Sequence, residues 1–440
     1  MSSDRTDLAT DAFIYGFPLV FNLQEIARFA REGMAGLPAA PFNSFAHATK
    51  LAGPDDTFVS INNDTVYSIA PVDVSDGPVR LEVPDTAGRY YVLQFVDAWT
   101  DNFAYVGHRA TGTGAGAFLL VAPDWDGTAA EDETVIRFPT AVGVSIGRWA
   151  VAGDDDIAAV RELQSGLTLT PSAAGAGIPA PDPTVAEDLA WFEQLRVWMR
   201  AFPPAARDLD RQRRFEALGL LEADSPYADP DPELARALGE ALAAGKSKME
   251  YALTHGASPE QNGWKLTHHV FDYNLDFFEV GALDEPRWKL PDDDGRYVER
   301  ALSARAGLWG NHGYEAAYAM SWVDGKGEPL DGANRYELRF TTMPPVDAFW
   351  SVTMYDVPDF YLVENPIERY SIGDRTPGLQ RDGDGSLKIV LQHGEPESAE
   401  DRANWLPTPA GLFRPILRLY EPADAVFDGG YELPPIERVE

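Results

Sequence analysis

At 440 residues and 45% hydrophobic, the chain has the length of two or three domains and enough apolar surface for a large core. Its 70 acidic and 36 basic residues give a formal charge of −34, which repels phosphate backbones and anionic headgroups, so neither nucleic acid nor membrane is an expected partner. The absence of cysteine excludes disulfides, thiolate nucleophiles, zinc ribbons and iron–sulfur clusters.

The N-terminus has no cationic stretch. The apolar run 12–21 follows Asp4, Asp7 and Asp11 and is shorter than the roughly 20 residues that span a bilayer, so a cytoplasmic location is expected. Leu8, Ala12, Tyr15, Leu19, Leu23, Ile26 and Ala30 recur at helical spacing, predicting a kinked helix or a helix pair over 4–33. Pro18 is the expected kink and Gly33 the stop. Short β-branched or aromatic runs then predict strands at 57–61, 65–70, 79–83, 90–96, 117–121 and 142–151, with a turn at 84–88.

Residues 169–183, rich in Pro, Ala and Gly, read as a linker. Thr184 and Glu187 have capping-box spacing ahead of Leu189, Phe192, Leu195 and Met199, and Pro203 and Pro204 stop that helix. Asp231, Pro232 and Glu233 supply an N-cap, a first-turn proline and a first-turn acid for another. Strands return at 335–340, 349–355, 387–392 and 416–420. The predicted class is α+β and β-rich: two β-sandwich or jelly-roll-like modules, a helical segment between them and an N-terminal helix. The expected boundaries are 1–170, 171–319 and 320–440.

Several motifs carry no chemistry in this context. The G-x-S-x-G pattern around Ser145 has strand-like flanks on both sides, whereas a nucleophile elbow needs a helix behind it. Gly112, Gly114 and Gly116 lead into a strand rather than a helix, and no phosphate-binding loop is present. Asp382, Asp384 and Ser386 begin like a calcium loop, but the twelfth position is His393 and a hairpin turn is expected. His268 and Asp272 would share a face if helical, yet no third ligand stands at a readable spacing, so no metal and no cofactor are expected.

Two polar constellations remain. Asn62, Asn63 and Asp64, with Tyr67 close behind, sit between apolar strands; they either build an Asx turn or line a pocket. Gln94 and Asp97 end another strand, and neighbouring strands commonly pair, so the two ends are expected to meet, with Asp64 and Asp97 as acid–base groups and Asn62, Asn63, Tyr67 and Gln94 orienting a ligand. The second constellation is the loop 364–375, where Arg369, Tyr370 and Arg375 either pin the loop or clamp a ligand carboxylate or phosphate, with His393 and Trp405 in support.

The stretch from Phe13 to Pro18, the run Asn62-Asn63-Asp64-Thr65 with Tyr67-Ser68, and the strand from Tyr90 to Asp97 resemble the domain of unknown function numbered 1254. Leu330-Asp331-Gly332, the run from Pro344 to Ser351, the run from Arg369 to Thr376, and Asn404-Trp405-Leu406-Pro407 resemble its usual partner, numbered 1214. This resemblance covers nearly the whole chain. It implies sandwich or jelly-roll-like modules with helices between them, and no established reaction. Glu368 stands where the pattern has Asn before Arg-Tyr-Ser.

By elimination the leading expectation is an enzyme of hydrolase or hydratase type, acting on a small organic molecule through carboxylate-assisted, water-dependent chemistry. The alternative is a non-catalytic sugar or small-ligand binding protein, and a third reading is a β scaffold. The expected partner is a small-molecule ligand, with assembly into a homo-oligomer left open.

Overall fold

The computed structural model describes residues 2–34, 36–56, 60–256 and 258–439. It is an α+β protein with an N-terminal helix and four mostly antiparallel sheets. Its helices are α1 (Ser2–Glu32), α2 (His108–Thr111), α3 (Ile157–Ser165), α4 (Ala190–Ala201), α5 (Leu209–Arg213), α6 (Pro232–His255), α7 (Asp294–Gly307) and α8 (Ala399–Ala403). The N-terminal strands are β1 (Ala46–His47), β2 (Thr65–Asp73), β3 (Val79–Val83), β4 (Tyr91–Asp97), β5 (Asn102–Gly107), β6 (Gly116–Val121), β7 (Glu133–Arg137), β8 (Val142–Ala150) and β9 (Thr168–Pro171). They form a five-stranded sheet ordered β1-β2-β8-β4-β5 and a four-stranded sheet ordered β7-β6-β3-β9. Both sheets feed one core, in which Val66, Leu93, Phe95 and Trp149 of the first meet Leu81, Phe118 and Ile136 of the second.

The later strands are β10 (Glu260–Gln261), β11 (Trp264–Leu266), β12 (Ala316–Ser321), β13 (Arg335–Phe340), β14 (Val346–Asp356), β15 (Ser371–Gly373), β16 (Leu387–Gln392), β17 (Trp405–Pro407), β18 (Phe413–Pro422) and β19 (Ile436–Val439). They form a six-stranded sheet ordered β10-β11-β12-β18-β14-β15 and a four-stranded sheet ordered β17-β16-β13-β19. These again share a core, with Trp350, Val352 and Leu417 against Leu338, Ile389 and Leu406.

Helix α1 is one helix with Pro18 inside it, not a pair. It packs against α4, α6 and α7. The approach is close: a Cβ on Gly16 would meet Leu195 Cδ1 at 2.4 Å, and one on Gly245 would meet Phe13 Cδ1 at 2.2 Å. This layer covers part of the five-stranded sheet through Ile69, Val96, Val142, Val144 and Ile146. Alternation along β8 explains the split. Val142, Val144 and Ile146 face the helices, while Ser145 and Trp149 point into the core between the sheets. Ser145 is therefore mid-strand and fully buried, and its hydroxyl has no hydrogen-bond partner among the described residues.

Several sequence expectations need correction. Residues 57–59 lie outside the described residues, and Ser60 and Ile61 are not in a strand. The linker expected at 169–183 begins as β9, because its backbone completes the edge of β3. The capping box at Thr184 is not used: Thr184 bonds Asp182 in a local turn, and α4 starts at Ala190 without a side-chain cap. The expected start at Asp231 does hold, with its carboxylate accepting the Leu234 amide at 3.2 Å. The segment 171–319 is not purely helical, since β10, β11 and the start of β12 complete the six-stranded sheet. The turn at Asp382 leads into β16 but closes no hairpin, because β15 lies in the other sheet.

Two outcomes are expected. Ser145→Ala removes a buried hydroxyl whose unmet bond costs about 1–3 kcal/mol, so thermal melting should show unchanged or raised stability, and a fluorophosphonate probe should not label Ser145. Glu368 has φ +49°, a left-handed conformation that Asn adopts more easily than Glu. Glu368→Asn should therefore raise stability by up to about 1 kcal/mol in urea denaturation.

Candidate active site between the two β modules

The two modules meet where the five-stranded and six-stranded sheets turn their second faces to each other. The aromatic core of this contact joins Tyr90, Val92 and Ala150 to Phe349, Ala316 and Tyr420. Phe349 stacks on Tyr420 at 4.1 Å, and Tyr90 meets Phe349 edge-on at 5.3 Å.

Strand register then sets the polar groups. On one sheet Tyr67 of β2 is the cross-strand partner of Arg148 on β8. Arg148 lies 5.5 Å from the Tyr67 ring and donates to Gln94 Oε1 at 2.7 Å, Asn311 Oδ1 at 3.3 Å and the Trp309 carbonyl at 2.8 Å. On the other sheet Tyr318 of β12 is the partner of Arg418 on β18. Arg418 donates to Thr353 Oγ1 at 3.0 Å and the Ser60 carbonyl at 2.8 Å. Both arginines are buried, and all these acceptors are neutral.

Asp64 ties the modules together. Asn62 builds the local turn, its Oδ1 accepting the Asp64 amide at 2.7 Å and the Thr65 amide at 3.0 Å. That leaves the Asp64 carboxylate to accept Ser351 Oγ at 2.6 Å and the Tyr420 hydroxyl at 3.1 Å from the opposite module. Asn63 donates to the Ala52 carbonyl at 2.6 Å and accepts Ser371 Oγ at 3.4 Å.

Beside this contact a cleft of about 880 Å³ opens, lined by Arg89, Tyr90, His108, Phe349 and Arg375 among others. Arg375 lies 3.5 Å from the Phe349 ring centroid and donates to the Asp64 carbonyl at 3.1 Å. Burial pushes its guanidinium below the usual range. Arg89 is instead paired with both oxygens of Asp156 at 2.5 and 2.6 Å. His108 Nδ1 lies 2.9 Å from both carboxylate oxygens of Glu421. Burial, and then the nearby Glu315 charge, raise the Glu421 carboxyl above the ordinary glutamate range. Glu315 accepts the Tyr90 hydroxyl at 3.1 Å and Arg109 Nε at 2.7 Å.

Residues 42–171 match the family described as "Protein of unknown function (DUF1254)", and residues 315–424 match "Protein of unknown function (DUF1214)". The chain belongs to these paired families. The crystal structure of VPA0106 from Vibrio parahaemolyticus is similar over 99% of this chain and 100% of its own, at 25% identity and a TM-score of 0.74. An uncharacterised protein from Burkholderia cenocepacia aligns over 100% of this chain and 95% of its own, at 12% identity and a TM-score of 0.47. No curated protein matches the chain. The DUF1254 stretch supplies Asp64, Tyr67, His108 and Arg148, and the DUF1214 stretch supplies Glu315, Tyr318, Arg418 and Glu421. Neither domain of this DUF1254–DUF1214 protein holds the whole constellation.

Asp64 and Asp97 do not come together, contrary to the sequence expectation. Strands β2 and β4 both run antiparallel to β8, so they run parallel to each other. Thr65 sits beside Ala150 and Asp97 beside Gly143, seven residues apart on β8, or roughly 23 Å at about 3.3 Å per residue. Asp97 lies under the helical layer, where its Oδ1 accepts the Asp101 amide at 2.8 Å and its backbone carbonyl accepts Asn22 Nδ2 at 2.8 Å. Gln94 does reach the intermodule face, through Arg148.

The loop 364–375 also divides. Arg369 donates to the Ala403 and Trp405 carbonyls at 2.9 and 3.0 Å and so pins the loop, while Arg375 enters the cleft. Tyr370 packs near Tyr355 and Ile416. Trp405 is buried and donates to the Gln392 carbonyl at 2.8 Å, and His393 Nδ1 lies 2.9 Å from the Thr408 carbonyl, both beside β16 rather than the cleft. His268 and Asp272 do not share a helix face; Asp272 meets His269 at 2.6 Å in a turn.

The sequence reading missed His108, Arg148, Glu315, Arg418 and Glu421. A signal was available: Arg148 interrupts the apolar β8, and Arg414, Arg418 and Glu421 interrupt the apolar β18.

Burial, and secondarily the Asp101 charge, hold the Asp97 carboxyl well above the usual range. The folded Asp97 therefore keeps its proton to higher pH than an unfolded Asp, which ionises near about pH 3.9. Below that pH both states are protonated and nothing is lost; above it the unfolded state gains by ionising, so wild-type stability falls as pH rises toward the folded pKa. Asp97→Asn escapes this, and its melting temperature relative to wild type should climb from about pH 4 upward. A difference that stays flat from acid to neutral pH would show that Asp97 is ionised in the fold.

Proposed function

We propose that the protein binds a small organic molecule in the cleft between two β-sandwich modules, and that His108 accepts a proton there in water-dependent chemistry of the hydrolase or hydratase type. The observation that carries this reading is the His108–Glu421 pair on the cleft. A carboxylate 2.9 Å from Nδ1 fixes the ring and its tautomer, and it stabilises the imidazolium formed when the other nitrogen takes a proton from water. Arg375 and Tyr90 share the cleft wall and would orient the substrate. Asp64, already engaged by Ser351 and Tyr420, serves by holding the modules together rather than by moving protons. No helix among the described residues is long and apolar enough to cross a membrane. Action in the cytoplasm is part of the proposal.

Non-catalytic binding is the second reading, favoured by the engagement of the Asp64 and Glu315 carboxylates within the protein. Purified protein incubated with a metabolite extract and followed by mass spectrometry separates the two. Wild type should deplete a compound, and His108→Asn should slow that by at least about 100-fold with a melting temperature close to wild type. A compound retained unchanged by wild type and variant alike would replace the enzyme with a binding protein.

A further inference from the structure

The intermodule contact holds more positive charge than its protein neighbours neutralise. Arg148, Arg375, Arg414 and Arg418 are buried or nearly so, and among the described residues none has a carboxylate within ion-pair distance. The field of Asp64 reaches Arg375 and Arg418 and that of Asp374 reaches Arg375, but Asp64 already accepts two hydroxyls and Asp374 accepts the Trp350 amide. In a chain of formal charge −34, a surplus of guanidinium in the interior is the reverse of the surface. Burying a charge without a counterion is costly, so such a surplus fits a site completed by a ligand.

Unused donors point the same way. Asn311 Nδ2, on the side chain whose oxygen accepts Arg148, and Arg414 Nε are both buried without a partner among the described residues. Tyr67 and Tyr318 stand at the middle of facing sheets, and each is only partly buried. The Tyr318 hydroxyl has no hydrogen-bond partner among the described residues, although Tyr67 accepts Asn62 Nδ2 at 3.0 Å. Each module thus presents one Tyr–Arg cross-strand pair, and Tyr318 of one lies within electrostatic reach of Tyr67 and Arg148 of the other.

We propose that the Tyr67–Arg148 and Tyr318–Arg418 pairs form the inner end of the site and bind the carboxylate of a planar organic acid. A guanidinium fork matches a carboxylate in two parallel hydrogen bonds, and phenol rings flank a flat apolar body. This deepens the functional reading above and rests on its claim that a ligand enters between the modules; it does not rest on the His108 chemistry.

The test uses the full chain, with benzoate as the probe acid, benzamide as its uncharged counterpart and inorganic phosphate as the rival oxyanion, in calorimetric titration and thermal melting. Benzoate should bind and raise the melting temperature, and benzamide should do neither. Arg148→Gln and Arg418→Gln should each weaken benzoate by at least about tenfold, and Arg418→Lys, which keeps the charge and preserves folding, should still lose the fork's share. Benzoate without effect at millimolar concentration, phosphate binding more tightly than benzoate, or variants that bind benzoate as wild type does would each overturn the proposal. Titration reads occupancy rather than turnover, so its failure is distinct from a failure of the His108 reaction.

Discussion

The central strands of the five-stranded sheet have no face left for water, and the rest of the molecule follows from that constraint. Every residue of its central strand β8 is buried. One face is covered by the four-stranded sheet of the same module. The other is too long for a single partner and is shared between the α1–α4–α6–α7 layer and the six-stranded sheet of the second module. A sheet buried on both faces must fill both with side chains that pack or pair, because an unpaired polar group there costs free energy on the scale of a lost hydrogen bond. The two domains therefore depend on each other for completion, consistent with their pairing in one chain.

That division also separates two kinds of interior. Under the helices the contacts are mainly apolar, and the polar exceptions are locked in local networks such as Asp97 with Asp101 and Arg300. Between the modules the contact is aromatic and cationic, and it borders an open cleft. Arg148 lies on the same face of β8 as Val142, Val144 and Ile146, yet belongs to the second kind. The boundary between helix layer and second module falls between Ile146 and Arg148, and the chemistry changes there.

The alternation that buries β8 also aims the functional groups. Two residues per repeat send Tyr318 and Arg418 to the same face, while Ala317, Ala319, Leu417 and Leu419 fill the module's own core. Asp64 occupies the turn before β2, and its carboxylate is released toward the second module because Asn62 satisfies the turn's amides. The sequence reading offered turn or pocket as alternatives for this run; the residues divide the roles between them.

Local chemistry was legible in the sequence wherever a segment's own pattern is decisive. The strands at 79–83, 335–340 and 387–392 and the Asp231 helix start agree with the structure because period-two alternation and an N-cap are set by neighbours in the chain. Asn62, Asp64, Gln94 and Arg375 were recognisable as polar groups at strand ends and loops. Their grouping was not, because closeness along the chain does not fix which ends of a sheet meet. Strands β2 and β4 both pair with β8, and that places Asp64 and Asp97 at opposite ends of it. His108 and Glu421 stand 313 residues apart, and only the docking of the two modules brings them within hydrogen-bond distance. The sequence by itself determined the most strongly patterned secondary elements, the family and the acidic, cysteine-free composition; tertiary structure alone decided which buried charges lie near one another, because that choice depends on sheet order and module docking, and no local pattern encodes either.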